Sequence, residues 1–345
     1  MDFTWQEIHE QPAVLERLLR EEWGEVQTIA KAIRASGIRW VLLAARGTSD
    51  HAAIYAQYLL GWRQRLPAAL ATPSLYTLYQ APPRLSDVLV VGISQSGRSP
   101  DVVSVIDSAR AQGQLTLALT NEPNSALAKA ARFVIPLQAG PERSVAATKT
   151  YSAELMAVAM LSAALSADPG QLNDLKAIPA KVAETLERNA GIDARVAELA
   201  GITQTVSVGR GLTLTTALEA GLKLKEMNYI SANAYSSADF LHGPIVIVEQ
   251  GFPVVLVVTG GVTYADMRAV QAECNRRGAR TIVISDQPEA LAEAAIPLPL
   301  AGGIPEWLMP LPAIVPAQLL GRGVSVARGL NPDQPRGLTK VTETR

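Results

Sequence analysis

The chain has 345 residues, enough for two domains of ordinary size. Its 31 basic and 32 acidic residues leave a formal net charge of −1, without a run of lysine or arginine, so we expect no nucleic acid partner and no anionic membrane. The single cysteine, Cys274, and three scattered histidines exclude an internal disulfide and argue against a metal cluster. We expect a cytoplasmic protein, because the amino terminus lacks a signal-peptide pattern and no apolar stretch is long enough to span a membrane.

The first predicted element is a long amphipathic helix that ends at Gly37. Apolar residues from Val14 to Ile33 recur there at three- and four-residue steps, with Pro12 near the start. Four short apolar runs follow, at 40–45, 88–93, 115–120 and 133–137, and four similar runs return at 205–211, 253–258, 280–286 and 296–300. Apolar runs that alternate with helical stretches predict parallel strands covered on both faces.

The two sets of strands lie at a nearly constant offset. About 164 residues separate Gly47 from Gly211, and Ser94 from Val258. We therefore predict an α/β protein of two similar subdomains, each a parallel sheet flanked by helices on both faces in a flavodoxin-like three-layer arrangement. Chance spacing of generic α/β elements is the alternative. The predicted parts are an N-terminal helical segment (1–36), two subdomains (37–170 and 171–330) and a C-terminal tail (331–345).

The loop Ser94–Ser99 is the most informative loop of the first half. It reads SQSGRS, with three hydroxyls, an amide and a glycine, and Pro100 can begin a helix directly after it. Hydroxyls and free N–H groups at a helix amino terminus form an anion site without a lysine. The loop matches neither a nucleotide phosphate loop nor a dinucleotide turn, so we predict a sugar phosphate as the anion. An ordinary serine-rich turn is the alternative.

The second half contains a different kind of candidate. The segment from Ala217 predicts a helix on which Glu219, Lys223 and Glu226 share one face, where a solvated ion pair is the alternative to a catalytic group. His242 stands directly before a Gly-Pro turn, where a histidine can move protons near neutral pH or serve a structural role.

Six ordered motifs give these segments a family resemblance. They are EIHEQP, RGTSDHAA, SQSGRSPD, RSVAATKTYSAEL, the block from GRGLTLTTALEAG to FLHGP, and NPDQPRGLTKVT. Together they resemble the isomerase domain of the glutamine–fructose-6-phosphate aminotransferases, which has a double sugar-isomerase (SIS) fold. The resemblance covers nearly the whole chain. It implies a sugar-phosphate enzyme.

The resemblance also implies a role for individual residues. Glu226 would move a proton between C1 and C2 with help from Lys223, His242 would open the sugar ring, and Lys340 would form a Schiff base with the ketose. His242 would act from the partner subunit of a homodimer with a shared active site. The residues implied to bind phosphate are Thr48, Ser94, Gln95, Ser96 and Ser99, and those implied to contact the sugar are Ser49 and Val145.

The sequence departs from the family pattern in three places. Arg46 replaces a cysteine and Arg98 an acidic residue, and two added positive charges could tighten phosphate binding or accommodate another substrate. The family's glutaminase domain, with its amino-terminal cysteine nucleophile, has no counterpart in the sequence, so we expect free ammonia as the nitrogen species.

The reaction that we expect is conversion of glucosamine 6-phosphate, or a related amino sugar phosphate, to fructose 6-phosphate and ammonia. Cleavage of a fructosamine 6-phosphate (a deglycase reaction) would use the same proton transfers, although the presence of Lys340 and the DQPR stretch favours the glucosamine substrate. A non-catalytic regulator that binds a sugar phosphate is the contrasting alternative. We expect neither a metal nor an organic cofactor.

Overall fold

A computed structural model of the chain describes residues 1–166 and 168–340, and it confirms the α/β fold expected from the sequence. Within these residues, two five-stranded sheets are formed by parallel strands. Val341 and Thr342, which end the last sequence motif, lie outside the described residues, as does the rest of the tail from 343 to 345.

The strands are β1 Trp40–Ala44, β2 Ala68–Leu70, β3 Val88–Ile93, β4 Leu115–Thr120, β5 Phe133–Pro136, β6 Gln204–Gly209, β7 Ser231–Ser236, β8 Pro253–Val257, β9 Arg280–Ser285 and β10 Ile296–Pro299. The helices are α1 Phe3–His9, α2 Gln11–Ala35, α3 Thr48–Arg63, α4 Ser74–Thr77, α5 Pro100–Ala111, α6 Ala126–Ala130, α7 Lys149–Ser166, α8 Pro169–Arg188, α9 Ile192–Val196, α10 Leu214–Asn228, α11 Ser237–Leu241, α12 Tyr264–Arg276, α13 Pro288–Ala292 and α14 Pro310–Ala327.

The chain divides into two compact units, and both are discontinuous in sequence. We call the unit that contains β1–β5 the first unit; its described residues are 13–142, 149–166, 168–177 and 339–340. The second unit contains β6–β10 and comprises residues 1–12, 143–148 and 178–338. The four-part division that we derived from the sequence stays a prediction.

The first unit is built on a sheet with strand order β2-β1-β3-β4-β5. All six residues of β3 are buried, as expected for a central strand covered on both faces, and Leu89 pairs with Val41 on one side and Leu115 on the other. Helices α5 and α6 cover part of the sheet through a core that includes Val90, Ile106 and Leu127.

The second unit has the strand order β7-β6-β8-β9-β10, which is the order of the first sheet with each strand replaced by its counterpart. Its core includes Val208, Leu256 and Met267. Helix α10 packs against α14, and it also contacts β6 and β7. Glu219 and Lys223, on the polar face of α10, are buried in these contacts.

The sequence did not predict the edge strands β2 and β7. Strand β2 has three residues, and β7 reads SANAYS, which lacks the apolar run of a central strand. Periodicity gives a weak signal for a segment that is very short or polar, whereas the other two edge strands, β5 and β10, are apolar runs and were predicted.

Candidate functional site

The serine loop Ser94–Ser99 directly follows β3, and α5 begins at Pro100 after it, as the sequence predicted. Ser94 is buried, whereas Gln95, Ser96 and Ser99 are partly exposed. Ser99 occupies the N-cap position of α5, and its side chain makes no capping hydrogen bond. Hydroxyl groups therefore lie beside a helix amino terminus at the carboxyl end of a central strand, where parallel sheets bind ligands.

The backbone of the serine loop is braced by its neighbours. Gly97 has a φ of +60°; its N–H donates to the backbone oxygen of Ser94 at 3.2 Å, and its oxygen accepts from the N–H of Leu127 at 3.0 Å. The oxygen of Gln95 accepts from the N–H of Asn121 at 3.1 Å. These bonds fix the loop shape, so an anion would meet donors that are already oriented.

The second predicted anion loop follows the neighbouring strand β1. Thr48 and Ser49 are the first two residues of α3, and β1 lies beside β3, so both loops belong to the same edge of the first sheet. Ser49 is buried, and its hydroxyl donates to Oε1 of Glu154 at 2.7 Å. Glu154 is on α7 and is also buried, so it fixes the direction of the Ser49 hydroxyl.

Arg46, which replaces the family's cysteine, forms an ion pair with a residue of α5. Its Nε donates to Oδ2 of Asp101 at 2.6 Å, and Asp101 is fully buried in the first turn of α5. The ion pair therefore ties the loop after β1 to the helix after the serine loop. Arg98 is exposed.

Lys340 contacts a carboxylate of the first unit. Its Nζ lies 2.6 Å from Oε2 of Glu142, whose side chain is fully buried. Thr150, in the first turn of α7, donates to the same carboxylate through its N–H and its hydroxyl, at 3.1 and 2.7 Å. The amine at the carboxyl end of the described chain is thus held by a fixed acceptor.

In the second unit, α10 carries the predicted cluster Glu219, Lys223 and Glu226. Nζ of Lys223 lies 3.2 Å from Oε1 of Glu219 and 2.6 Å from Oε2 of Glu226. Glu219 and Lys223 have no exposed side-chain surface, and Glu226 keeps 23%. The cluster is therefore buried, and the alternative of a solvated surface ion pair is wrong.

The charge of Lys223 is maintained by its two carboxylate neighbours. Burial alone would disfavour the ammonium, but attraction to Glu219 and Glu226 outweighs it and raises the pKa of Lys223 above its usual range. Lys223 is therefore a permanent cation at neutral pH. Only Glu226 of the three presents surface to solvent, so it is the member that can exchange a proton with a bound molecule.

His242 and Val145 belong to the second unit as well. His242 caps the short helix α11, and its side chain is exposed. Val145 is partly exposed, and its N–H donates to the backbone oxygen of Asp333 at 3.0 Å. The same carboxyl-terminal segment is bound to α1, because the Asp333 carboxylate accepts from the N–H groups of Phe3 and Thr4 at 2.8 and 2.7 Å.

Two carboxylates that contact predicted site residues, Glu142 and Glu154, were not among the residues predicted from the sequence. Glu154 had a signal in the sequence, because it is the one charged residue in the segment 151–166, which is otherwise apolar or small. Glu142 had none, because it precedes Lys340 by 198 residues and only the folded chain brings them together.

Neither a metal site nor a membrane span is found in residues 1–166 and 168–340. Groups of three or more potential ligands among His, Cys, Asp and Glu are absent from these residues. The same part of the chain contains no helix with the length and hydropathy needed to cross a bilayer.

Comparison with known proteins links the chain to enzymes that act on sugar phosphates. A glutamine–fructose-6-phosphate aminotransferase (isomerizing) of Thermus thermophilus is 35% identical over 356 residues, which cover 98% of this chain and 58% of that protein. The chain therefore spans little more than half the length of such relatives.

Solved structures show the same fold over nearly the whole chain. The C-terminal domain of glucosamine-fructose-6-phosphate aminotransferase from Francisella tularensis is 25% identical, with a TM-score of 0.88 and coverage of 97% of this chain and 98% of that one. A glucosamine-6-phosphate deaminase from Thermotoga maritima, at 21% identity, covers 99% of this chain and all of its own, with a TM-score of 0.80, and shows the fold alone. The SIS domain model matches residues 38–164 and 198–295. The chain belongs to the SIS domain family.

Proposed function

We propose that the chain is a sugar-phosphate aldose–ketose isomerase that also deaminates, and that it converts glucosamine 6-phosphate, or a related amino sugar phosphate, to fructose 6-phosphate and ammonia. The observation that carries the proposal is the cluster on α10. A carboxylate with partial exposure, Glu226, lies 2.6 Å from the buried cation Lys223. A carboxylate held by a cation can take a proton from carbon and return it to the neighbouring carbon.

In this reaction the serine loop and Thr48 bind the phosphate through hydroxyl and N–H donors. His242 protonates the ring oxygen, and the sugar opens to the aldehyde. Glu226 then moves a proton from C2 to C1, while the C1 oxygen gains a proton and the C2 nitrogen loses one. The aldehyde with its C2 amine thereby becomes a C1 hydroxyl with a C2 imine.

Lys340 attacks C2 of this imine, ammonia leaves, and a Schiff base joins the enzyme to the ketose. Water then releases fructose 6-phosphate. Lys223 stays protonated throughout and stabilises the charge of Glu226 and of the adjacent enol-type intermediate.

We propose also that two copies of the chain form a homodimer with a shared site. His242 is surrounded in sequence by exposed apolar side chains: Leu241 is 45% exposed, Val246 76% and Ile247 44%. A second copy would cover this apolar surface and would receive the His242 ring.

The homodimer is tested by light scattering and by mixing two inactive variants, His242→Asn and Glu226→Gln, after exchange of subunits. A shared site restores about a quarter of wild-type activity, since half of the dimers are mixed and each has one intact site. A monomer, or a mixture that stays inactive, contradicts it.

The activity is tested with the purified chain and a panel of phosphorylated amino sugars, with ammonia and fructose 6-phosphate measured together. We expect turnover of a hexosamine 6-phosphate by the wild type and by Glu249→Gln, a variant of an exposed carboxylate, and a loss of about 10³-fold or more in Glu226→Gln.

The panel includes fructosamine 6-phosphates, whose preferred cleavage would identify a deglycase. Tight binding of a sugar phosphate without turnover of any member, by calorimetry, would identify a regulator. Either result refutes the proposed deamination.

A further inference from the structure

The amine of Lys340 lies on a buried carboxylate that is itself held in place. Glu142 Oε2 is 2.6 Å from Nζ of Lys340, and the same oxygen accepts the hydroxyl of Thr150 at 2.7 Å, while Oε1 accepts the N–H of Thr150 at 3.1 Å. The Glu142 side chain has no exposed surface, and that of Lys340 keeps 25%. The carboxylate of Glu142 is thus buried and fixed by Thr150, whereas the Lys340 side chain is partly exposed.

An ammonium cannot attack carbon, because its nitrogen lone pair holds a proton. A lysine that forms a Schiff base must therefore give up a proton before it reacts. Oε2 of Glu142 is a carboxylate oxygen within hydrogen-bond distance of Nζ of Lys340. We propose that Glu142 positions Lys340 and accepts its proton when the Schiff base forms, an inference that rests on the role given to Lys340 in the proposed function.

In the direction from fructose 6-phosphate, which reverses the hydrolysis step, a proton passes from Nζ of Lys340 to Oε2 of Glu142. The neutral amine then bonds to C2 of the ketose, and a second proton moves from nitrogen to the C2 oxygen to give a carbinolamine. The protonated Glu142 returns its proton to the hydroxyl at C2, the C–O bond breaks, and water leaves. The products are a protonated Schiff base and a Glu142 carboxylate, so the charge on the two residues and the substrate is unchanged.

Burial of the Glu142 carboxylate beside the partly exposed Lys340 favours this role over that of a simple anchor. Two charges that are removed from water are costly, and transfer of the proton turns the pair into two neutral groups. A sugar phosphate that covers Lys340 excludes more water and so favours the neutral pair. Thr150 donates to the carboxylate in either state, which keeps Oε2 in reach of the amine.

The experiment traps the Schiff base of the full chain with borohydride in the presence of fructose 6-phosphate, and measures the adduct on Lys340 by peptide mass spectrometry. We expect trapping to be about 100-fold slower in Glu142→Gln than in the wild type, and unchanged in Glu122→Gln, an exposed carboxylate of the same unit. Affinity for glucitol 6-phosphate, which has no carbonyl, is expected to stay within about threefold in Glu142→Gln, since Lys340 forms no bond to it.

A second variant separates proton transfer from folding. Formate is expected to restore trapping in Glu142→Ala at an ionic strength matched with chloride, because the small carboxylate can occupy the space left by the side chain. Trapping of Glu142→Gln at the wild-type rate overturns the inference and leaves the proposed function intact. Slow trapping without formate rescue overturns proton acceptance. No adduct in the wild type overturns both the inference and the Schiff-base role of Lys340.

Discussion

The hydroxyl oxygen of Ser49 lies 2.7 Å from Oε1 of Glu154, and both side chains are buried. A serine hydroxyl has one proton to donate, and here the carboxylate takes it. The hydroxyl oxygen of Ser49 can then only accept further hydrogen bonds. Ser49 is therefore suited to accept a hydrogen bond from a sugar hydroxyl, and it is poorly suited to bind a phosphate oxygen, which also accepts.

Glu154→Gln tests this relationship, because the amide can donate to Ser49 and reverse the direction of the hydrogen bond. We expect kcat/KM to fall about 10-fold in the wild-type background, and to fall no further when Ser49→Ala is already present, a coupling of about 1.4 kcal/mol. Steady-state kinetics of the four proteins measure the coupling. An equal loss in both backgrounds would show that Glu154 acts elsewhere.

Gly97→Ala is expected to disrupt the serine loop. A Cβ at Gly97 would collide with the hydroxyl of Ser125 and lie 2.9 Å from Oγ1 of Thr120, on a backbone with a φ of +60°. We expect a loss of stability of about 2–3 kcal/mol and at least about 10-fold weaker binding of fructose 6-phosphate by calorimetry.

Gly113→Ala is the matched control for Gly97→Ala. Gly113 also has a positive φ, +74°, but a Cβ there meets no atom within 4 Å. We expect a loss of about 1 kcal/mol from backbone strain and unchanged ligand binding. Binding by Gly97→Ala that equals binding by Gly113→Ala would contradict the role of the loop.

Lys223→Met is expected to destabilise the protein by about 3–5 kcal/mol at pH 7, because it leaves the buried Glu219 and the partly exposed Glu226 without their shared cation. The same substitution should change the response to alkali. The raised pKa of Lys223 means that the folded chain keeps a proton which the unfolded chain loses above about pH 10.4. Stability from Lys223 is therefore complete below that pH and falls above it, by up to about 1.4 kcal/mol per pH unit.

Urea unfolding between pH 9 and pH 11 measures this slope. The wild type and Lys225→Met, a variant of an exposed lysine on the same helix, should lose stability more steeply with pH than Lys223→Met. Parallel slopes for all three proteins would refute the pKa assignment.

Asp2→Asn is expected to lower stability by about 1–2 kcal/mol at pH 7, since the carboxylate caps α1 at the N–H of Trp5 and pairs with Arg322 at 2.7 Å. Burial raises the pKa of Asp2, but the hydrogen bonds from Arg322 and Trp5 outweigh it and lower the pKa below its usual value. Stability from Asp2 is therefore present above about pH 4 and is lost as the pH falls through the lowered value.

Thermal unfolding between pH 2 and pH 7 measures the effect of Asp2. The difference in stability between the wild type and Asp2→Asn should shrink toward low pH, whereas Asp107→Asn, at an exposed carboxylate, should follow the wild type. A difference that is constant with pH would argue against the ion pair with Arg322.

The sequence predicted strands β1, β3–β6 and β8–β10 and the helix that carries Lys223. Those strands are continuous apolar runs, and the helix has good helix formers with charges at three- and four-residue spacing. Both signals are local, since they depend on neighbours within a few residues. Strands β2 and β7 were not predicted, because their segments are short or polar and form strands only by pairing with a strand from another part of the chain.

The sequence by itself determined the fold class, the serine loop at the end of β3 and the shared face of Glu219, Lys223 and Glu226. Tertiary structure alone decided that this face is buried, that Asp101 balances Arg46, and that Lys340 lies on Glu142. The physical reason is the sequence separation of the residues involved. Hydrophobic periodicity depends on residues that are close in the chain, whereas burial and ion pairing arise from packing between segments that are far apart in the chain.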